Sequence, residues 1–292
     1  MYNKEKILKT LHEIHDESKQ ITPYVVVVQP RRSKSETPAQ NFNGHENVHV
    51  DMLGHSHGYL DICGEKVDVA RNYLIETVLD ECGDAKYLFF IGEDTVVPYD
   101  AFIKLKKTCE QNPNAIATGV YYIKASIAMI MVREGNMISV PNVDPGQTIE
   151  AWMTGMDCML IPIELLKKMK NQDPDLPFCC IARGIDNLPF IGEDNFFVHR
   201  VHKMGIKLLV NTDVQCLHID LANGKYTAHP SVNINNYHTN ITITEPLTRD
   251  DAKYLHDRWH DRLPEGTAYV GKINKLIEEG KPVKFNMGCG SD

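Results

Sequence analysis

The apolar positions of this 292-residue chain fall into short continuous runs separated by segments with helical spacing. TPYVVVVQP (residues 22–30) holds four consecutive valines, which suit a parallel strand covered on both faces, where a half-exposed strand would alternate. YLFFI (Tyr87–Ile91) has the same character. Between the two runs, Asp68 can cap a helix over VARNYLIETVLDEC, whose Ala70, Leu74 and Val78 share a face. A second helix, opened by Pro98, turns Phe102 and Leu105 inward and its lysines outward. Strands AIATGVYY and AMIMV then precede a Gly- and Pro-bearing loop from Arg133 to Gln147. AWMTGMDCMLIP leads into a short helix at Pro162–Lys170, followed by FCCIA, a helix over NFFVHRVHKMG, and strands IKLLV and VQCLHID. Alternation of strand and helix over this length predicts an α/β fold, an open sheet flanked by helices on both faces.

The ends differ from this middle. Residues 1–20 place Ile7, Leu8, Leu11 and Ile14 on one face of an amphipathic helix, Ser33–Asn47 reads as a polar loop, and Val48–Leu53 is a possible strand. From Thr248 the pattern is again helical (DDAKYLHDRWHDRL), with a second helix near Lys272–Glu279. The chain therefore divides into an N-terminal helix (1–20), an α/β domain (21–245) and a C-terminal helical extension or linker (246–292).

Composition narrows the function classes. With 42% hydrophobic and 24% charged residues the chain is globular in type, and no apolar run approaches the ~20 residues of a membrane span. The N-terminal segment lacks the apolar core of a signal peptide, so secretion has no support. Cysteines 63, 82, 109, 158, 179, 180, 216 and 289 are scattered without CxxC spacing; they read as reduced thiols, and the expected compartment is the cytoplasm. A net charge of −8 argues against a broad nucleic-acid footprint.

The pentapeptide FIGED occurs twice, at Phe90–Asp94 and Phe190–Asp194, with unlike flanks that disfavour duplication. In an open α/β sheet the loops at the carboxyl ends of strands line the ligand crevice, and the first GED follows a very apolar strand. Asp94 there reads as a ligand for Mg²⁺ or Mn²⁺, which take oxygen ligands and bridge to phosphates, or as a helix cap. Asp194 stands at a helix start, where a carboxylate is either a cap or a general base. His218, in VQCLHID, is either a metal ligand or an ordinary hydrogen-bonded histidine.

The ordered succession DVARN, YLFFIGEDTVVP, ATGVYY, WMTGMDCMLIP, IGEDNFFVHRVHKMG and VQCLHI resembles GT-A glycosyltransferases, most like the inverting family 2 type, over about residues 23–220. That resemblance implies a GT-A, Rossmann-like open mixed sheet and sugar transfer from a nucleotide-diphosphate donor, UDP-linked, to an acceptor hydroxyl with inversion. The family's DxD motif matches Gly92, Glu93 and Asp94, so its first Asp is replaced by Gly92. Asp94 keeps the metal-binding position, and Glu93 stands where it could supply the missing donor contact. The family's later acidic motif matches Glu193 and Asp194, the second being the catalytic base, and His218 matches a position that completes a metal shell. Pro30 and Arg31 match the loop cupping the base, Asp68 and Arg71 the helix beside the donor, with Arg71 on the diphosphate. Trp152 and Gly155 match the segment flanking the acceptor.

Two other readings remain open: a nucleotidyltransferase, for which QPRRSKSE lacks the usual glycines, and a non-catalytic nucleotide- or sugar-binding module. Histidines 45, 49, 55 and 57 read as a solvated loop cluster or a metal site, and Trp259 and His260 as a flap or a docked helix. VKFNMGCGSD resembles the opening strand and Gly-rich turn of S-adenosylmethionine-dependent methyltransferases, with Gly288 and Gly290 in the turn, which implies a linked methyltransferase domain.

Overall fold

A computed structural model describes residues 23–31, 57–98, 100–120, 122–123, 127–134, 136–139, 143–182, 191–220, 225–227, 240–242 and 284–286. The helices expected at 1–20, 250–263 and 272–279, the strand at 48–53, His45, His49, His55, Trp259, His260, Gly288 and Gly290 lie outside the described residues. By contact the chain forms two units, Met1–Val232 and Asn233–Asp292.

In the first unit the elements run β1 (Val25–Arg31), β2 (His57–Cys63), α1 (Val67–Glu81), β3 (Tyr87–Ile91), β4 (Thr95–Val96), α2 (Ala101–Gln111) and β5 (Ala115–Val120). Short strands β6 (Tyr122–Ile123), β7 (Ile127–Ala128), β8 (Ile130–Glu134), β9 (Asn136–Ser139), β10 (Thr148–Glu150) and β11 (Met153–Thr154) follow. The unit continues through β12 (Cys158–Pro162), α3 (Ile163–Gln172), α4 (Glu193–Lys203), β13 (Lys207–Gln215), β14 (Leu217–Asp220) and β15 (Lys225–Thr227). In the second unit β16 (Asn240–Thr242) pairs antiparallel with β17 (Lys284–Asn286), the strand preceding the Gly-rich end.

Seven strands form one open sheet in the order β10-β13-β5-β12-β3-β1-β2. The pairs β1–β2, β1–β3 and β5–β13 are parallel, whereas β12 runs antiparallel to both neighbours. This is the expected α/β class: an open mixed sheet flanked by helices.

Both faces of that sheet are covered, which is why its central strands are apolar throughout. Val26, Val28, Leu88 and Phe90 pack on one side with apolar residues of α1, α3 and α4. Val25, Val27, Phe89 and Ile91 pack on the other with Ala101, Phe102 and Leu105 of α2. Successive strand side chains point to opposite faces, so a run such as YLFFI supplies two cores at once. Burying each such side chain contributes roughly 1.5–3 kcal/mol.

The mixed direction decides which strand ends meet at one edge. Parallel β1, β3, β5 and β13 deliver their carboxyl ends to one edge of the sheet, and antiparallel β12 delivers its amino end there, with Cys158 opposite Ile91. Gly92 and Asp157 therefore meet at that edge, where the Gly92 N–H donates to the Asp157 carbonyl at 2.9 Å. Beyond β13 the chain forms β14, which pairs with β4 so that His218 lies opposite Thr95.

Several local expectations are corrected. Lys66, not Asp68, is the residue before α1, and Asp68 lies in the first turn without a side-chain cap. The helix start expected at Asp194 lies one residue earlier: Gly192 precedes α4, and Glu193 and Asp194 lie in its first turn. FCCIA, for which the pattern gave no element, contributes a bridge from Ala182 to Ile191. Part of the expected 133–147 loop is the β8–β9 hairpin, whose polar tip hid the pairing of Val132 with Ile138.

One glycine in the sheet centre is forced by close approach. A β-carbon at Gly119 would stand 2.7 Å from Val214 Cγ1 and 2.9 Å from Cys158 Sγ. Gly119→Ala is therefore expected to cost about 1–3 kcal/mol by overpacking, read as a lower melting temperature; an unchanged midpoint would show that the β5–β13 contact is looser than the geometry says.

Candidate active site

The DVARN segment places two side chains that organise the edge of the sheet. Asn72 exchanges hydrogen bonds with the backbone of Cys179: its Nδ2 donates to the carbonyl at 2.6 Å and its Oδ1 accepts from the N–H at 3.0 Å. Arg71, one residue earlier on α1 and only 4% exposed, reaches the other way. Its Nη1 donates to Glu193 Oε1 at 2.8 Å and its Nη2 to Asp157 Oδ1 at 3.1 Å. Arg71 thus spans from the first turn of α4 to the amino end of β12.

Asp157 in turn lies over Gly92. A β-carbon at Gly92 would fall 2.8 Å from both Cβ and Cγ of Asp157, inside any tolerable contact. Glycine at this position leaves the space that the Asp157 carboxylate fills. Two residues on, Asp94 Oδ2 lies 3.4 Å from His218 Nε2. Glu93 between them is buried. Gln29, at the carboxyl end of β1, donates from Nε2 to the Gly92 carbonyl at 3.2 Å and accepts from the Tyr59 hydroxyl at 2.7 Å, so three adjacent strands steady the first GED.

The electrostatics follow from burying several acids around one guanidinium. Burial pushes the Asp157 carboxyl up to about 6 against the pull of Arg71; Asp94 and Asp194 add to the rise and His218 opposes it. Both GED motifs therefore act on the same buried carboxyl. Burial also raises Asp194, Arg71 draws it back, and Glu193 raises it further. A raised carboxylate is a better proton acceptor than an exposed one. Burial lowers the Arg71 guanidinium, but Asp157, Cys179, Asp194 and Glu193 more than offset it. Acidic excess at one sheet edge is an environment that attracts cations.

The remaining candidates occupy distinct places. Arg31, the last residue of β1, pairs with Asp61 of β2 through Nη1 to Oδ2 at 2.7 Å, beside Pro30. Asp68 lies on α1 one turn before Asn72, whose Nδ2 also reaches the Asp68 carbonyl at 2.8 Å. Trp152 stacks on His202, with ring centroids 4.6 Å apart and planes 6° from parallel, while His202 Nε2 lies 2.8 Å from the Trp152 carbonyl. One indole face is thereby covered by α4. Gly155 is buried between Trp152 and Asp157.

Asp94 and His218 form a pair; among the described residues no three or more His, Cys, Asp and Glu side chains are arranged to hold a metal ion. Gln29 carried no functional expectation, and Asp157 only that of closing the acceptor-flanking segment Trp152–Asp157. Asp157 had a faint signal, an acid directly before the apolar strand CMLIP as GED directly follows YLFFI, but only antiparallel pairing makes the two adjacent.

No family model and no curated protein matches the chain. Among solved structures it is similar to A197 from STIV, at 18% identity and a TM-score of 0.49, over 71% of this chain and 95% of that one. It is also similar to GalNAc-T7 with UDP, GalNAc and Mn²⁺, at 12% identity and a TM-score of 0.44, covering 88% of this chain and 54% of that one. A third is a glycosyltransferase involved in glycosylation of the major capsid of PBCV-1, at 9% identity and a TM-score of 0.35, covering 74% and 97%.

The raised Asp157 carboxyl makes stability pH-dependent. Its folded pKa of about 6 lies above the 3.8 of an ordinary aspartate, so the folded state binds this proton more tightly. The stabilisation is complete below pH 3.8 and is lost as pH rises through about 6. Wild-type stability relative to Asp157→Asn should therefore fall by on the order of 3 kcal/mol between about pH 4 and about pH 7. Urea unfolding across that range checks it, and a difference that is flat or grows with pH would overturn it.

Proposed function

We propose that the chain is a glycosyltransferase of GT-A type, moving a sugar from a nucleotide-diphosphate donor, UDP-linked, to an acceptor hydroxyl with inversion. The observation that carries this reading is the meeting of the two GED motifs: Asp157 lies over Gly92 of the first, and Arg71 ties it to Glu193 of the second. The order of motifs in the sequence supports it as well.

The donor set at the first GED fits a divalent cation such as Mn²⁺ or Mg²⁺ in its chemistry. Asp94 and His218 would hold it, a carboxylate oxygen and an imidazole nitrogen 3.4 Å apart. Two protein ligands suit a cation that completes its shell with diphosphate oxygens and water. When bound, such an ion offsets the charge that develops on a departing diphosphate.

The protein's own groups do the rest. Asp194, in the first turn of α4 with its carboxyl raised by burial, accepts the acceptor hydroxyl's proton as that oxygen attacks the anomeric carbon. Attack opposite the leaving group inverts that carbon. Glu193, held by Arg71, keeps the first turn of α4 in place. The end of β1, with Pro30 and the Arg31–Asp61 pair, is a platform for the base, and Trp152 with Gly155 flanks the acceptor. The scattered thiols suit a reducing compartment such as the cytoplasm, and a linked methyltransferase domain remains part of the proposal for the C-terminal end.

Incubation with a panel of nucleotide sugars and Mn²⁺ should release nucleoside diphosphate; release of pyrophosphate would instead favour a nucleotidyltransferase. Asp194→Asn should lower turnover on the order of 10²–10⁴-fold while UDP binding, measured by calorimetry, is retained. Retained turnover in Asp194→Asn would remove the assigned base. Asp94→Asn should raise the Mn²⁺ dissociation constant by about tenfold or more, followed by titration calorimetry; unaltered Mn²⁺ affinity would remove the assigned ligand.

A further inference from the structure

We propose that Arg71 and Asp157 are positioning residues that clamp the catalytic acidic pair to the donor-side acidic pair, and that Gly92 is glycine because the clamp passes over it. This rests on the transfer reading above and deepens it.

The contact path is continuous. The Gly92 N–H donates to the Asp157 carbonyl at 2.9 Å, and the Asp157 side chain fills the space where a side chain at 92 would be, 2.8 Å from an ideal β-carbon. Asp157 Oδ1 accepts from Arg71 Nη2 at 3.1 Å, and Arg71 Nη1 donates to Glu193 Oε1 at 2.8 Å. Glu193 adjoins Asp194 in the first turn of α4. The planar guanidinium thus fixes two carboxylates on elements with no direct strand pairing, β12 and α4.

A guanidinium does this where an ammonium does not, because its donors are set in a rigid fork. The same commitment bears on substrate binding. At 4% exposure, with Nη1 and Nη2 each donating to a protein carboxylate, Arg71 acts in the clamp on the donor through the acids it holds, and low exposure rather than a lack of donors keeps it from a diphosphate. Misplacing a catalytic group by about 1 Å can cost on the order of 10²-fold in rate.

The discriminating experiment compares Arg71→Lys, Gly92→Ala and the double variant in the full chain. UDP with Mn²⁺ is the binding probe, and the panel sugar giving fastest UDP release is the substrate. A clamp predicts that each single variant lowers kcat by about 10–100-fold, that UDP affinity and donor KM stay within about threefold of wild type, and that the double variant is no slower than the worse single one. Weakened UDP binding with kcat intact in Arg71→Lys would instead make Arg71 a diphosphate ligand. Rate losses that multiply would show that Gly92 and Arg71 act independently. If wild type releases UDP from no donor, the transfer reading fails on its own. The clamp is then decided by melting temperatures: sub-additive losses in the double variant support it, and additive losses overturn it.

Discussion

A single buried guanidinium organises the edge of the sheet where the two GED motifs meet. Arg71 can lie 4% exposed because carboxylates stand on two sides of it, and Arg71 in turn offsets the desolvation of those half-buried carboxylates. Ion pairs of this kind are weak sources of net stability, since desolvation consumes much of what the attraction supplies, but breaking one partner leaves a costly uncompensated charge. What such a group contributes here is geometry. It ties α1, β12 and α4 together at one point, at the rim of the core that apolar residues of α4 help to fill.

The sheet supplies the other constraint. Reversing β12 among strands whose neighbours are parallel brings the beginning of one strand to the ends of the others, so Asp157 arrives beside Gly92 although 65 residues separate them along the chain. The same edge receives β14 through its pairing with β4, which sets His218 against Asp94. Rigid elements, each buried on an apolar face, hold these polar groups half-buried at the strand ends. Desolvation there raises the Asp157 and Asp194 carboxyls, and the neighbouring acids add to the rise.

The repeated FIGED owes its resemblance to different local demands. In the first copy Phe90 and Ile91 belong to opposite faces of β3, and the glycine makes room for a neighbouring carboxylate. In the second, Ile191 bridges to Ala182, the glycine precedes a helix, and the two acids meet the positive end of that helix. Identical letters thus serve a strand end and a helix start.

Much of the architecture could be read from residue order because burial on two faces leaves an unmistakable imprint: YLFFI and the valine run could hardly be anything but central strands, and the helices over VARNYLIETVLDEC and NFFVHRVHKMG declared themselves by spacing. Asp94, Asp194, Arg71 and His218 stood out as polar groups at the ends of such elements. What residue order could not express is pairing between distant segments. The antiparallel direction of β12, the seat of Asp157 above Gly92, the commitment of Arg71 to two carboxylates and the stacking of Trp152 on His202 all depend on hydrogen-bond register and packing across 50 to 122 residues of sequence separation. Local propensity carries no information about such partners; only the closing of the sheet decides them.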